Sequence, residues 1–247
     1  MPGQHGAVGG TEHTPADWPA TWPPGWSVQH VAVTGSTNDD LLATAGQRVD
    51  RTVLVADYQH AGRGRRDRSW AAMPGANLLA SILFHRVPSD PMELPRRVCL
   101  AMVDAGRRFT VAPLALKWPN DVLLDDRKLA GVLAQRSADG SVVVGIGVNL
   151  GWAPDGAARL GPGVAPLVLL AELLAAYDRL PAPAHRLGDR YRAELATLGR
   201  RVRVELTDGE LLGVAADLTY DGRLVVVDDA GTTHRLSVGD VVHLRAR

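Results

Sequence analysis

Val122-Leu123-Leu124-Asp125-Asp126-Arg127-Lys128-Leu129-Ala130-Gly131-Val132-Leu133-Ala134-Gln135 reads as a β-hairpin, two apolar runs (122–124 and 128–135) around the polar turn Asp125-Asp126-Arg127. Upstream, residues 114–117 form a short strand that stops at Lys117-Trp118-Pro119-Asn120-Asp121, because proline cannot continue a ladder. Downstream, Ser-Val-Val-Val-Gly-Ile-Gly-Val-Asn-Leu, residues 141–150, is a further strand whose Gly145, Gly147 and Asn149 imply close approach of other atoms to the backbone. Further out, residues 28–33, 52–59 and 77–85 read as strands, and residues 39–45 and 92–109 as helices. The second helix carries Leu94, Val98, Met102 and Val103 on a 3.6-residue period. Strands joined by hairpins more often than by helices describe an α+β fold, a mixed and largely antiparallel sheet with helices on one side.

Residues 165–180 and 184–198 read as two more helices, the last stopped by Gly199. Beyond it the pattern changes to short runs at 201–206, 211–218, 223–228 and 238–244, joined by Asp208-Gly209 and Asp221-Gly222, which predicts a small C-terminal β-barrel. Residues 1–26 are rich in Gly, Pro and Thr and read as a flexible tail whose Trp18, Trp22 and Trp26 pack its end on the body. The expected organisation is therefore a tail (1–26), a main domain (27–198) and a barrel (199–247).

The 247 residues are 46% hydrophobic with a net charge of zero, which gives a full core and argues against general affinity for nucleic acid. The single cysteine, Cys99, excludes a disulfide framework and a cysteine-rich zinc site, fits a reducing compartment, and reads as a small buried core residue. No run is long and apolar enough for a membrane span, and the start lacks the pattern of a signal peptide, so a cytoplasmic protein is expected.

Against that neutral background, Gly62-Arg63-Gly64-Arg65-Arg66-Asp67-Arg68-Ser69-Trp70 carries a local charge of +3, four arginines less one aspartate. A loop of this kind between two strands is built to hold anions, and its length marks a binding loop or lid. Ser36 or Thr37 caps the following helix, or the same turn points amides and hydroxyls at a small polar ligand. Gln59 stands at a strand end, for ligand contact or for solvent. Lys128, at the first position of an apolar strand, is either merely solvated or set against an anion shared with the arginine loop. The chain has no P-loop, no His-Glu-x-x-His helix, no Gly-x-Ser-x-Gly elbow and no dinucleotide glycine motif opening a helix. Arginines and lysines without a nucleophile suit activation of a carboxylic acid by a nucleoside triphosphate, where two anions must be brought together.

Taken together, Ser36-Thr37-Asn38, the run from Gln59-His60-Ala61-Gly62 to Trp70, Lys117-Trp118-Pro119-Asn120-Asp121, Lys128-Leu129-Ala130-Gly131 and Gly147-Val148-Asn149 resemble the motif set of biotin protein ligases in order and spacing. The resemblance covers about residues 27–247 and implies a class II synthetase-like catalytic domain with an SH3-like barrel. It implies that biotin and ATP form biotinyl-5'-adenylate, and that a lysine of a biotin carboxyl carrier protein then takes the biotinyl group. By this resemblance Ser36, Thr37, Asn38, Gln59, Gly62, Arg63, Gly64, Lys128 and Gly131 hold biotin. Arg65, Arg66, Arg68, Trp70, Lys117, Asn120, Asp121 and Asn149 hold ATP, with Lys128 and Arg65 catalytic and Mg2+ expected with the nucleotide. Family members often have glycine at Asp67 and glutamate at Gln135. Asp67 is expected either to weaken phosphate affinity or to pre-order the loop by pairing with Arg66 or Arg68. The region before residue 27 lacks the winged helix-turn-helix of the bifunctional repressors, so no DNA partner is expected, and monomer and homodimer both stay open. The rival readings are a lipoate or octanoate ligase of the same superfamily, and a non-catalytic binder of biotin or nucleotide.

Overall fold

The computed structural model describes residues 18–66, 68–182, 184–207, 209–237 and 239–244. Most of the tail, Asp67, and the turn and strand positions Asp208 and Val238 lie outside the described residues, so both expectations for Asp67 stand untouched. From Trp18 onward the chain is packed. Trp18 meets Trp22 edge to face at 5.2 Å, and Trp26 meets Tyr177 in the same way at 5.4 Å.

The main sheet has seven strands, β1 (Ser27–Thr34), β2 (Thr52–Gln59), β3 (Leu78–Phe84), β4 (Leu114–Lys117), β5 (Asp121–Leu124), β6 (Arg127–Arg136) and β7 (Val142–Val148), in the order β1-β2-β3-β7-β6-β5-β4. Only β1 and β2 are parallel. The hairpin expected over residues 122–135 is β5–β6, and its turn residues Asp125 and Asp126 both take positive φ, as a tight hairpin turn between twisted strands requires.

Side chains alternate between the two faces of this sheet. On one face Val53, Val55, Ala80, Ile82, Val144, Ile146 and Val132 pack under α2 (Glu93–Gly106) and α3 (Pro166–Arg179), the helical layer expected on one side. Cys99 lies in this core, and burial pushes its thiol pKa upward. The other face carries a single short helix, α1 (Thr37–Thr44), whose Leu41, with Ala45 beyond it, covers Leu54, Leu83 and Val143. Beyond α1 this face is left open, over Ser81, Gly145, Gly147 and Gly131, and the cavity forms there.

Two helix ends and one strand depart from the sequence expectation. The helix expected to reach Phe109 ends at Gly106, where the chain turns back through Phe109 N–H to Gly106 O at 2.9 Å. The helix expected to reach 198, α4 (Ala184–Glu194), stops early because Leu195 forms a parallel bridge with Leu116 and Ala196 N–H donates to Leu116 O at 2.8 Å. The C-terminal sheet contains a strand that composition did not mark. Its members are β8 (Arg201–Leu206), β9 (Gly209–Leu218), β10 (Leu224–Asp228), β11 (Thr233–Leu236) and β12 (Asp240–His243), antiparallel in the order β11-β10-β9-β8-β12. The unmarked strand is β11, Thr-His-Arg-Leu, too polar to show an apolar alternation.

Candidate active site

The open face of the main sheet, the start of α1, the arginine loop and strand β12 enclose a cavity of about 410 Å³, a volume suited to a small ligand. At one end the lining is buried, polar and uncharged. Ser36 Oγ accepts the Asp39 amide at 3.4 Å, so Ser36 is the N-cap, and the same turn faces the cavity. Gln59 Oε1 accepts from the Thr37 amide at 2.7 Å and stands 2.9 Å from its hydroxyl. Ser81, fully buried on β3, lies 2.6 Å from the Thr37 hydroxyl and donates to Asn38 Oδ1 at 2.5 Å.

The opposite end is cationic. Residues 62–66 and 68–70 form an arch rather than an open loop: Trp70 N–H donates to Gly62 O at 2.8 Å, Arg63 and Ser69 bridge, and Gly64 N–H donates to Arg68 O at 2.6 Å. A Cβ on Gly62 would come within 2.8 Å of Trp70 O, so the arch requires glycine there. The Trp70 ring then lies across the sheet, filling the space that side chains at 131 and 147 would occupy. Its indole Nε1 is buried without a partner among the described residues, a donor left for something in the cavity.

Lys128 owes its direction to a bulge. The register of β5 against β6 shifts between Val122 and Leu123, and Leu129 and Ala130 both face the core in consequence. Lys128 is thereby returned to the cavity face beside Gly131, where its Nζ meets Asp121 Oδ1 at 2.7 Å and lies 5.6 Å from the Trp70 ring centre. Lys117, at the end of β4, shares this wall, and burial lowers its pKa against the opposing pull of Asp121.

The arginines are already paired. Asp240 on β12 meets Arg68 at 2.9 Å, Arg65 at 3.4 Å and Arg66 at 3.9 Å, while Glu205, its register partner on β8, meets Arg68 at 3.7 Å. Arg65 Nη1 also donates to Asn120 Oδ1 and Gly239 O, each at 3.2 Å. Burial lowers the Arg65 pKa, offset in part by Asp240 and Asp121. Arg63 turns outward to Asp39 at 3.1 Å and is more than half exposed.

Ser36, Thr37, Asn38, Gln59, Arg63, Gly64, Arg65, Arg68, Trp70, Lys117, Asn120, Asp121, Lys128 and Gly131 thus meet around one cavity. Gly62 and Arg66 belong to the arch without lining the space. Asn149 lies behind Lys128: its Nδ2 donates to Ala158 O at 3.0 Å and weakly to Lys128 O at 3.5 Å. Sequence reading missed Ser81, whose signal is one hydroxyl in the apolar strand Leu-Leu-Ala-Ser-Ile-Leu-Phe. It also missed Glu205 and Asp240, which carry no local signal and reach the cavity only through the C-terminal sheet.

Comparison with known proteins agrees with this geometry. Residues 31–152 match the Biotin/lipoate A/B protein ligase family and residues 197–244 the biotin protein ligase C-terminal domain. The chain is 42% identical to the biotin–[acetyl-CoA-carboxylase] ligase of Mycobacterium tuberculosis, across 90% of this chain and 91% of that one. It is 30% identical to the bifunctional ligase/repressor BirA of Escherichia coli, across 83% of this chain and 70% of that one. The biotin protein ligase of Aquifex aeolicus, solved in complex with biotin and ATP, superposes with a TM-score of 0.76 at 25% identity, covering 89% of this chain and 99% of that one. Likeness that runs through nine-tenths of the sequence is kinship and not fold alone, and this chain belongs to the biotin protein ligase family.

Proposed function

We propose that this protein activates biotin with ATP as biotinyl-5'-adenylate, releasing pyrophosphate, and passes the biotinyl group to a lysine of a biotin carboxyl carrier domain. One observation carries the reading: a single cavity has a neutral, buried hydrogen-bonding end and a cationic end, joined by Lys128. That division suits a polar, uncharged ring on a chain ending in a carboxylate, set beside phosphates. The ureido ring lies against Ser36, Thr37, Asn38, Gln59 and Ser81. The carboxylate reaches Lys128 and the Gly62–Arg63–Gly64 limb of the arch, and Gly131 leaves room for the Trp70 ring and the Lys128 side chain that border it. Arg65 and Arg68 face the phosphates, with Arg66 held behind them through Asp240 and adding its charge, and with Trp70, Lys117, Asn120 and Asp121 along the nucleotide side, while Asn149 acts from behind on the backbone of Lys128.

In the first step a carboxylate oxygen of biotin bonds to the α-phosphorus and the bond to the pyrophosphate oxygen breaks. Lys128 and Arg65 neutralise charge on the oxygens in flight, and positioning supplies the rest. In the second step the acceptor amine attacks the anhydride carbonyl and AMP leaves, so the nucleophile comes from the partner. No group of three or more His, Cys, Asp or Glu side chains that could hold a metal occurs among the described residues, and the nearby carboxylates Asp121 and Asp240 are engaged by cations. Mg2+ therefore belongs with the triphosphate in this reading, without a cage of protein carboxylates. The one cysteine accords with cytoplasmic operation, and no helix among the described residues is long and apolar enough to cross a membrane.

The test mixes the chain with ATP, biotin and a carrier domain and follows pyrophosphate release and labelling of the acceptor. Lys128→Ala is expected to slow adenylation by roughly 10²–10³-fold, the usual cost of losing one transition-state donor, with a much smaller change in biotin affinity. Equal losses in rate and affinity would remove the catalytic role, and pyrophosphate release with lipoate alone would favour the rival ligase.

A further inference from the structure

Five side chains form one line of hydrogen bonds through the ring end of the cavity, from Gln59 through Thr37, Ser81 and Asn38 to Gln135. The last of these does not line the cavity. We propose that Gln135 is a positioning residue that fixes the hydrogen-bonding polarity of the ring end by holding Asn38 in one orientation. The inference rests on the biotin reading above and deepens it.

The line has a direction. Asn38 Nδ2 donates to Gln135 Oε1 at 2.7 Å and more weakly to Leu133 O at 3.3 Å. Leu133 O is a backbone carbonyl and only accepts, so turning the Asn38 amide over would set two oxygens against each other. With Nδ2 so committed, Oδ1 faces Ser81 and receives its hydroxyl hydrogen at 2.5 Å. Ser81 has then spent its hydrogen and takes one from Thr37 at 2.6 Å, in competition with Gln59 Oε1. From the Thr37 hydroxyl onward every hydrogen points towards Gln135, whose Oε1 is the terminal acceptor, while Gln59 Oε1 takes the Thr37 amide at the other end, and such a chain polarises each member along it.

The polarity left at the cavity is that of an acceptor. Asn38 Oδ1 lies over Gly145, where a Cβ would come within 2.2 Å of it, and Asn38 is almost wholly buried. A ring that docks on this oxygen has to bring an N–H, as a ureido ring does, and a ring offering only acceptors is refused. Without Gln135, Asn38 Nδ2 keeps only its longer bond to Leu133 O, and turning the amine into the cavity costs less than in the parent.

The experiment compares the full chain with Gln135→Leu and Gln135→Glu by calorimetric titration with biotin and with biotin methylated on a ureido nitrogen. Gln135→Leu is expected to weaken biotin about tenfold, the scale of one net hydrogen bond, and to erase much of the preference for biotin over the methylated ring. Adenylation at saturating biotin and the KM for ATP stay within about twofold, because the change acts on ring recognition alone. Gln135→Glu, which keeps an acceptor oxygen, retains affinity and preference. Equal losses in both variants, an unchanged preference in Gln135→Leu, or a shift in the ATP KM as large as that for biotin overturns the inference. Each variant is matched to the parent by thermal melting, and Gln135→Met carries the same expectation should the leucine variant fail to fold. If the parent chain binds no biotin, the functional reading falls and the inference with it; if the parent binds and all variants bind as it does, only the inference falls.

Discussion

Gly145 holds open the space that Asn38 fills, and Gly147 does the same for Trp70, where a Cβ would lie 2.4 Å from the ring. Neither partner is the free end of a flexible side chain, since Asn38 is locked by hydrogen bonds and Trp70 by the arch. Gly145→Ala is therefore expected to displace Asn38 at a cost of about 1–3 kcal/mol, read by calorimetry as roughly 5- to 150-fold weaker biotin binding. A variant binding biotin as tightly as the parent would show that Asn38 does not set the ring end. At this scale the site could be read from sequence wherever chemistry was concentrated: four arginines between glycines, a lysine opening an apolar strand, a helix cap after a strand. Asp240 escaped because an aspartate on a short β-strand looks solvated until folding sets it against three arginines. Asn149, a nucleotide contact by resemblance, gives its Nδ2 to the Ala158 and Lys128 carbonyls, while its Oδ1 is buried without a partner among the described residues.

The arch of residues 62–66 and 68–70 is an element with two anchors. Its base is fixed to β2 and β3 by covalent continuity and its own hydrogen bonds, and its tip is held through Asp240 and Glu205 to the C-terminal sheet. The Asp240 carboxylate occupies the company that a phosphate would keep, so the arginines are gathered before any nucleotide arrives. Asp240→Asn removes that charge. Without ATP, the variant is expected to be cut by trypsin within the arch several-fold faster than the parent, with ATP and biotin together restoring protection in both. Equal cleavage rates would mean that the arch stands without the carboxylate. Strands bounded by clear turns were readable in sequence almost to the residue, as β2 and β4 show. The end of α4 was not, because Leu195 leaves the helix to pair with Leu116, a contact 79 positions away in the chain. Local periodicity carries no trace of a partner that distant.

Across the whole molecule the two sheets share one apolar core. Val202, Val204, Ala215, Leu218, Leu224, Val226 and Val241 of the C-terminal sheet lie in the same cluster as Leu116, Trp118 and Val122 of the main one. The seam is also polar: Thr197 Oγ1 accepts the Trp118 amide at 3.0 Å and lies 3.1 Å from His243 Nε2, and Trp118 Nε1 donates to Gly222 O at 3.0 Å. Burial, then Arg200 and Lys117, press the His243 pKa from 6.5 to about 4, with only Asp126 opposing. The tautomer with hydrogen on Nε2 satisfies Thr197 and leaves Nδ1 towards Arg200 at 3.5 Å. A histidine held neutral when folded takes up a proton on unfolding, so its contribution is present above pH 6.5 and is lost as the pH falls towards about 4. His243→Gln is expected to flatten the melting temperature across that window, and an unchanged slope would place the acid sensitivity elsewhere.

Because β1 and β2 run parallel, the chain between them has to cross a face of the sheet, and such crossings are right-handed almost without exception. With β1 outermost, that rule leaves α1 one side to occupy, and it lies opposite the layer formed by α2 and α3. The amides and hydroxyls at the start of α1 arrive on that side with it. Which surface of the sheet does the chemistry is thus inherited from the chirality of the α-carbon, before any catalytic side chain is specified.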